Sequence, residues 1–92
     1  MSFPSSAVRF SGQATQFRSA SFRGRMAVRN SCPACSSLVF GGEIGTSESF
    51  TIYAGSLDDA SAFRPRIAIF ARDRPAWVEL PAGLTVFDTL PD

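Results

Sequence analysis

Glycine and proline constrain this chain more than any other residues. Seven glycines and six prolines fall among 92 residues and cut the sequence into short pieces. No eleven-residue stretch repeats apolar residues at the i, i+3, i+4 and i+7 spacing of a helix face. Two-residue alternation recurs instead. Val8 and Phe10 share one face of a short candidate strand. Met26 and Val28 point one way while Arg25, Ala27 and Arg29 point the other. Phe50, Ile52 and Ala54 alternate with Thr51 and Tyr53. Ile67, Ile69 and Ala71 alternate with Ala68 and Phe70, a pattern apolar on both faces that predicts a central strand. Shorter candidates run from Leu38 to Phe40 and from Trp77 to Leu80. The expected fold is all-β, built of short antiparallel strands over residues 1–92, with no internal repeat and no dividing linker.

The turns between these strands have recognisable chemistry. Gly41-Gly42 suits a reversal after Phe40, because glycine tolerates positive φ. Gly55-Ser56 closes the Phe50 strand. Asp58-Asp59-Ala60-Ser61-Ala62-Phe63 offers a capping acid and enough residues for one helical turn before Arg64-Pro65 stops it. Arg72-Asp73-Arg74-Pro75 reads as a polar turn into Trp77. The serines at 2, 5, 6, 19 and 21 read as loop or frayed terminus.

Size and charge narrow the function. A chain this short buries only about 60–65% of the surface its unfolded form exposes, so its core is small. No apolar run approaches the ~18 residues that span a bilayer. No signal segment is visible, so the expected compartment is the cytoplasm. The sequence holds no histidine and no lysine, which excludes a Ser-His-Asp triad within the chain. Residues 1–30 carry five arginines and no acid, whereas residues 31–92 carry four arginines and eight acids, giving +5 and −4. That asymmetry reads as solvated basic and acidic faces, or as a basic half that docks on the acidic half of a second copy. Nucleic acid is not an expected partner, because no aromatic-basic motif or recognition helix accompanies the charge.

Cys32 and Cys35 are the only cysteines, spaced C-x-x-C around Pro33 and Ala34. A redox pair wants its first cysteine at a helix N-terminus, and Ser36-Ser37-Leu38-Val39-Phe40 reads as a turn into a strand instead. A zinc knuckle fits that local shape, but a structural zinc site takes four ligands and this chain supplies two thiols. The third reading is a pair of unoccupied thiols in a turn. A local disulfide is disfavoured in a reducing compartment.

These residues also resemble a known family. Ser31 to Phe40 looks like the last zinc knuckle of the glutathione-dependent formaldehyde-activating enzymes, a family that includes the centromere protein V-like proteins. Ala54-Gly55-Ser56-Leu57-Asp58-Asp59 is similar to its "aGsLDd" turn, and Phe63-Arg64-Pro65 and Arg74-Pro75-Ala76-Trp77-Val78 follow at the family's spacing. Upstream, Val8 to Ala14 resembles its "lrf-x-G-x-p" stretch, and Gly24 to Asn30 the strand entering the knuckle. The resemblance implies an all-β fold of the Mss4-like (β-tent) type and a carbon–sulfur lyase that joins formaldehyde to glutathione. It implies two zinc sites: a structural one made by a C-x-C pair with the late C-x-x-C, and a catalytic one made by a separate C-x-C-x-x-C cluster.

Only Cys32 and Cys35 map onto those ligands, as half of the structural site. The N-terminal half of the family domain, with its catalytic cysteines, has no counterpart here. Ser36 stands where the family has glycine, and Ser31 where it has an aromatic. The expectation is therefore a truncated member, a partial domain completed by dimerisation and acting as a non-catalytic structural or interaction module. The alternative is a lyase whose partner chain supplies the catalytic zinc site. Zinc is expected at low occupancy, at most one per two chains, and a small-molecule thiol is the candidate ligand. Other residues are assigned structural roles: Asp58 as a cap, Trp77 in the core, Tyr53 in packing, and Arg23 and Arg25 on a solvated turn.

Overall fold

The computed structural model describes residues 1–21 and 23–91. The chain packs as two compact units, Met1–Ser61 and Ala62–Asp92. Among the described residues there is no α-helix, only one-turn 3-10 helices at Ser5–Ala7, Ala54–Ser56 and Ala71–Asp73. The all-β expectation holds.

The first unit is a five-stranded antiparallel sheet. Its strands are β1 (Ser2–Pro4), β2 (Thr15–Ala20), β3 (Met26–Ser31), β4 (Leu38–Gly41) and β5 (Ser49–Ile52). They lie in the order β1-β5-β4-β3-β2. Strands β2 to β5 form a meander, and β1 crosses to the far edge, where Phe3 faces Phe50. The alternation at Met26–Val28, Leu38–Phe40 and Phe50–Ile52 falls within β3, β4 and β5, the three inner strands. Pairing of Asn30 with Phe40, and of Phe40 with Ile52, puts those side chains on one face.

That face holds the core. Phe40 and Phe50 are buried, and Phe10 closes over both with ring centroids at 5.0 and 4.9 Å. Beside them Asn30 is fully buried. Its Nδ2 donates to the carbonyls of Phe40, at 3.2 Å, and Gly42, at 2.8 Å, while Oδ1 has no partner. Gly42 sits at φ +122°, and a Cβ there would lie 2.6 Å from Cδ1 of Phe50. Glycine at this turn is thus required both by its backbone and by the ring beneath it.

Two edge strands escaped the sequence reading. Ser2 lies in β1 and Ser19 in β2, not in loops. Both strands are mostly exposed, so no apolar alternation marks them. Conversely, Val8–Phe10 is not a strand; it follows the first 3-10 turn as a loop, and Phe10 serves as a lid on the core. The expected helical turn at Asp58–Phe63 is also absent. With no helix there to cap, Asp58 is not a cap; Asp59 closes a local turn instead, accepting the Ser61 N–H at 2.9 Å.

The second unit has one two-stranded ladder, β6 (Ile67–Ala68) with β7 (Thr85–Val86), and it is parallel, unlike the antiparallel pairing expected. The predicted central strand Ile67–Ala71 is cut short because Phe70 takes a left-handed conformation at φ 54°. The Phe70 and Ala71 amides then donate to the carbonyls of Thr89 and Phe87. Trp77–Leu80 is not a strand either. The Val78 N–H closes a turn on the Pro75 carbonyl at 3.0 Å, which puts Trp77 at the corner. Trp77 is 83% exposed, which corrects its assignment to the core.

Candidate metal centre at the Cys32–Cys35 turn

Strands β3 and β4 are joined by a tight loop, Cys32 to Ser37, and both cysteines lie in it. The Cys32 N–H donates to the Ser37 carbonyl at 2.9 Å, and the Ser36 N–H donates to the Cys32 carbonyl at 2.8 Å. Those two bonds fold the C-x-x-C segment back on itself. The return is made by Ser36 at φ 65°, a left-handed conformation that costs most L-residues about 1–2 kcal/mol. The position where the resembled family has glycine is therefore one where the backbone asks for it. Entry to the loop is shifted by a bulge. Asn30 pairs with Phe40 but Ser31 pairs with Leu38, leaving Val39 as the extra residue.

Both thiols are free; Cys32 is half-buried and Cys35 exposed. The Cys35 thiol and the Ser37 hydroxyl are hydrogen-bonded at 3.3 Å, a contact in which the hydroxyl can turn to donate once the thiol ionises. The Ser37 hydroxyl, then the Ser37 backbone N–H, then the Cys32 thiol hold the Cys35 thiol below its ordinary value. Each offers a hydrogen bond that favours the thiolate. Ser37 was missed as a contributor by sequence reasoning; its only signal is the serine two residues after Cys35. On its other flank Cys32 lines a cavity of about 210 Å³ shared with Phe10, Pro33, Val39, Phe40 and Ile44. The turn is thus apolar on one side and open to water on the other.

A four-coordinate zinc does not fit this donor set. Among the described residues no group of three or more His, Cys, Asp or Glu side chains is placed to hold a metal ion. The chain's two thiols and its lack of histidine leave half a tetrahedron.

The remaining candidates lie elsewhere. Arg23 and Arg25 are exposed on the turn between β2 and β3, with Gly24 at φ +78°. A Cβ on Gly41 would meet the Tyr53 hydroxyl at 3.6 Å, so that phenol packs across the sheet. Ser61 holds the Asp59 carboxyl below the usual range through its hydroxyl and backbone N–H. A second cavity, about 220 Å³, lies between Met26, Val28 and the Glu43–Ser47 loop, and the Arg18–Glu43 ion pair lines it. That pair joins the basic and acidic halves within one chain. It also holds the Glu43 carboxyl below the usual range, chiefly through the Arg18 hydrogen bond and then that from Thr46.

No helix among the described residues is long and apolar enough to cross a membrane. No curated protein and no solved structure matches the chain. Residues 1–73 match the glutathione-dependent formaldehyde-activating enzyme family, and they span all five strands of the sheet together with the C-x-x-C turn. On that match, the chain belongs to the glutathione-dependent formaldehyde-activating enzyme family.

Proposed function

We propose that these 92 residues work as a non-catalytic structural or interaction module of the family, and that they do so as a dimer. The observation that carries this reading is the donor count. Zinc catalysis needs a metal held by protein ligands with one position open. The family's catalytic cluster, as the resemblance implies it, takes cysteines beyond the two in this sequence. Apolar exposure supports association. Phe17, Met26, Leu38 and Ile44 in the first unit, and Ile67, Trp77 and Val86 in the second, all face solvent. Burying such residues against a second copy would remove apolar area from water, which favours association. Two experiments test the reading. NMR exchange spectroscopy of formaldehyde with glutathione should show the same rate with and without protein, and a protein-dependent acceleration would refute the non-catalytic role. Light scattering at micromolar concentration should give twice the 9.9 kDa chain mass, and a monomer with a cooperative thermal transition would refute the dimer.

A further inference from the structure

We propose that two copies of the chain join edge to edge, β2 against β2, antiparallel about a twofold axis at Phe17. This names the surface of the dimer proposed above and rests on that reading. The two edges of the sheet are built differently. At one edge β1 has three residues and ends in Pro4, a short proline-bearing strand of the kind that discourages further pairing. At the other, β2 has six residues and pairs, among the described residues, with β3 alone. Its register to β3 runs without a bulge, and Thr15 to Ala20 contains no glycine, proline or lysine. Its one charge, on Arg18, is paired with Glu43. An edge of that length and regularity is a template for another strand. Area favours a folded second copy over a short peptide as the occupant. The chain exposes 7282 Å², whereas two separate compact bodies of the lengths of Met1–Ser61 and Ala62–Asp92 would together expose roughly 6,200 Å². The surplus is close to the surface of about 800 Å² that each partner contributes to a standard interface.

The register follows from the backbone. The Ser21 N–H bonds the Arg25 carbonyl, and the Gly42 N–H bonds the Val28 carbonyl. Antiparallel alternation then turns the peptide groups of Thr15, Phe17 and Ser19 toward β3 and those of Gln16, Arg18 and Ala20 toward the open side. With the axis at Phe17, Gln16 of one copy faces Arg18 of the other, and both present outward peptide groups that exchange main-chain bonds. The two Phe17 residues form the close, non-hydrogen-bonded pair, with Cα atoms about 4.5 Å apart. The Phe17 side chain is 65% exposed in the single chain, and an aromatic cross-strand pair stabilises a sheet. Thr15 faces Ser19, a hydroxyl pair of the kind that also stabilises. No like charges are opposed. The Gln16 amide already accepts from the Arg18 guanidinium along the strand at 3.1 Å, so it is a suitable neighbour for the other copy's Arg18. Moving the axis by one residue to Arg18 would set the two guanidinium groups against each other, which destabilises.

The experiment has two arms on the full chain. In the first, Phe17→Lys sets two ammonium groups opposite each other at the axis. Light scattering should give twice the chain mass for the wild type and the 9.9 kDa monomer for the variant at the same micromolar concentration, with far-UV circular dichroism unchanged. In the second, single cysteines report the register. The sulfurs introduced by Phe17→Cys meet across the axis within disulfide reach. Those introduced by Ser19→Cys lie four residues apart along the strands, about 13 Å, and out of reach. Mild oxidation should therefore cross-link the first variant into a covalent dimer through position 17, located by mass spectrometry, and leave position 19 unlinked. If Phe17→Lys loses its far-UV spectrum, the cross-linking arm decides. A Phe17→Lys protein that stays dimeric, or equal cross-linking at positions 17 and 19, would overturn the edge pairing while leaving the dimer reading in place. A monomeric wild type would overturn both.

Discussion

Replacing Ser36 by glycine should stabilise the protein, although it removes a side chain. Ser36 occupies the left-handed region at φ 65°, which costs an L-residue about 1–2 kcal/mol. Glycine escapes that cost but has more unfolded-chain freedom to lose, about 0.5–1 kcal/mol. The difference favours Ser36→Gly by roughly 0.5–1 kcal/mol. For a domain of this size that is a rise in Tm of about 2–8 °C. Ser36→Ala is the control, since alanine keeps the Cβ that causes the strain and should give no gain. Thermal unfolding followed by far-UV circular dichroism measures both. A lower Tm for the glycine variant, or an equal rise for alanine, would refute the claim that backbone conformation at this turn is what selects glycine.

Gly42→Ala should be strongly destabilising, by about 2–5 kcal/mol, because it combines a positive φ with a clash against the buried Phe50 ring. Gly45→Ala, at φ +87° with open space around it, should cost only about 1–2 kcal/mol, and equal losses in denaturant titrations would show that the ring contact is unimportant. Asn30→Ala should cost about 2–4 kcal/mol in the same assay, since it leaves the Phe40 and Gly42 carbonyls without their shared donor. Glu43→Gln tests the ion pair with Arg18. The Glu43 carboxyl is depressed in the folded state, so its contribution is present above the ordinary glutamate value of about 4.3 and is lost as pH falls through the lower folded value. The stability gap between wild type and variant should therefore be widest near neutrality and close in acid, and a gap independent of pH would discard the pair.

The parts of this fold that sequence alone revealed are those where burial imposes a two-residue rhythm. Val28 to Asn30, Phe40 and Phe50 to Ile52 carry the inward positions that meet the Phe40–Phe50 core, while Met26 and Leu38 at the strand ends face solvent. Edge strands receive no such imprint. Thr15 to Ala20 runs along the rim with nearly every residue exposed, and its composition carries no periodic mark. Phe10 has an apolar neighbour at Val8 that suggests a strand, yet its role is to cover a face from a loop, and local pattern does not distinguish the two. Ile67 to Ala71 has the right residues for a strand, but Phe70 turns left-handed and hands its amide to Thr89. That partner lies far along the chain and leaves no trace in the five residues themselves. The C-x-x-C turn was legible as a unit. Its hydroxyl partner Ser37 and its apolar wall were not, because they depend on how β4 and the Phe10 loop fold over it.

The strand order has a kinetic consequence. Strands β2 to β5 close through neighbouring hairpins, which cost little loop entropy, whereas β1 must find β5 across more than forty residues, with Phe3 meeting Phe50. Phe10 lies in the connection between β1 and β2, and its ring completes the aromatic cluster from there. Until β1 docks, the hydrogen-bonding edge of β5 is bare. An early species of this kind is open to strand addition by another chain. On loop-closure grounds the pairing expected to form last is thus the one that covers the β5 edge, and the time the chain spends without it sets how long that edge is open to misassembly.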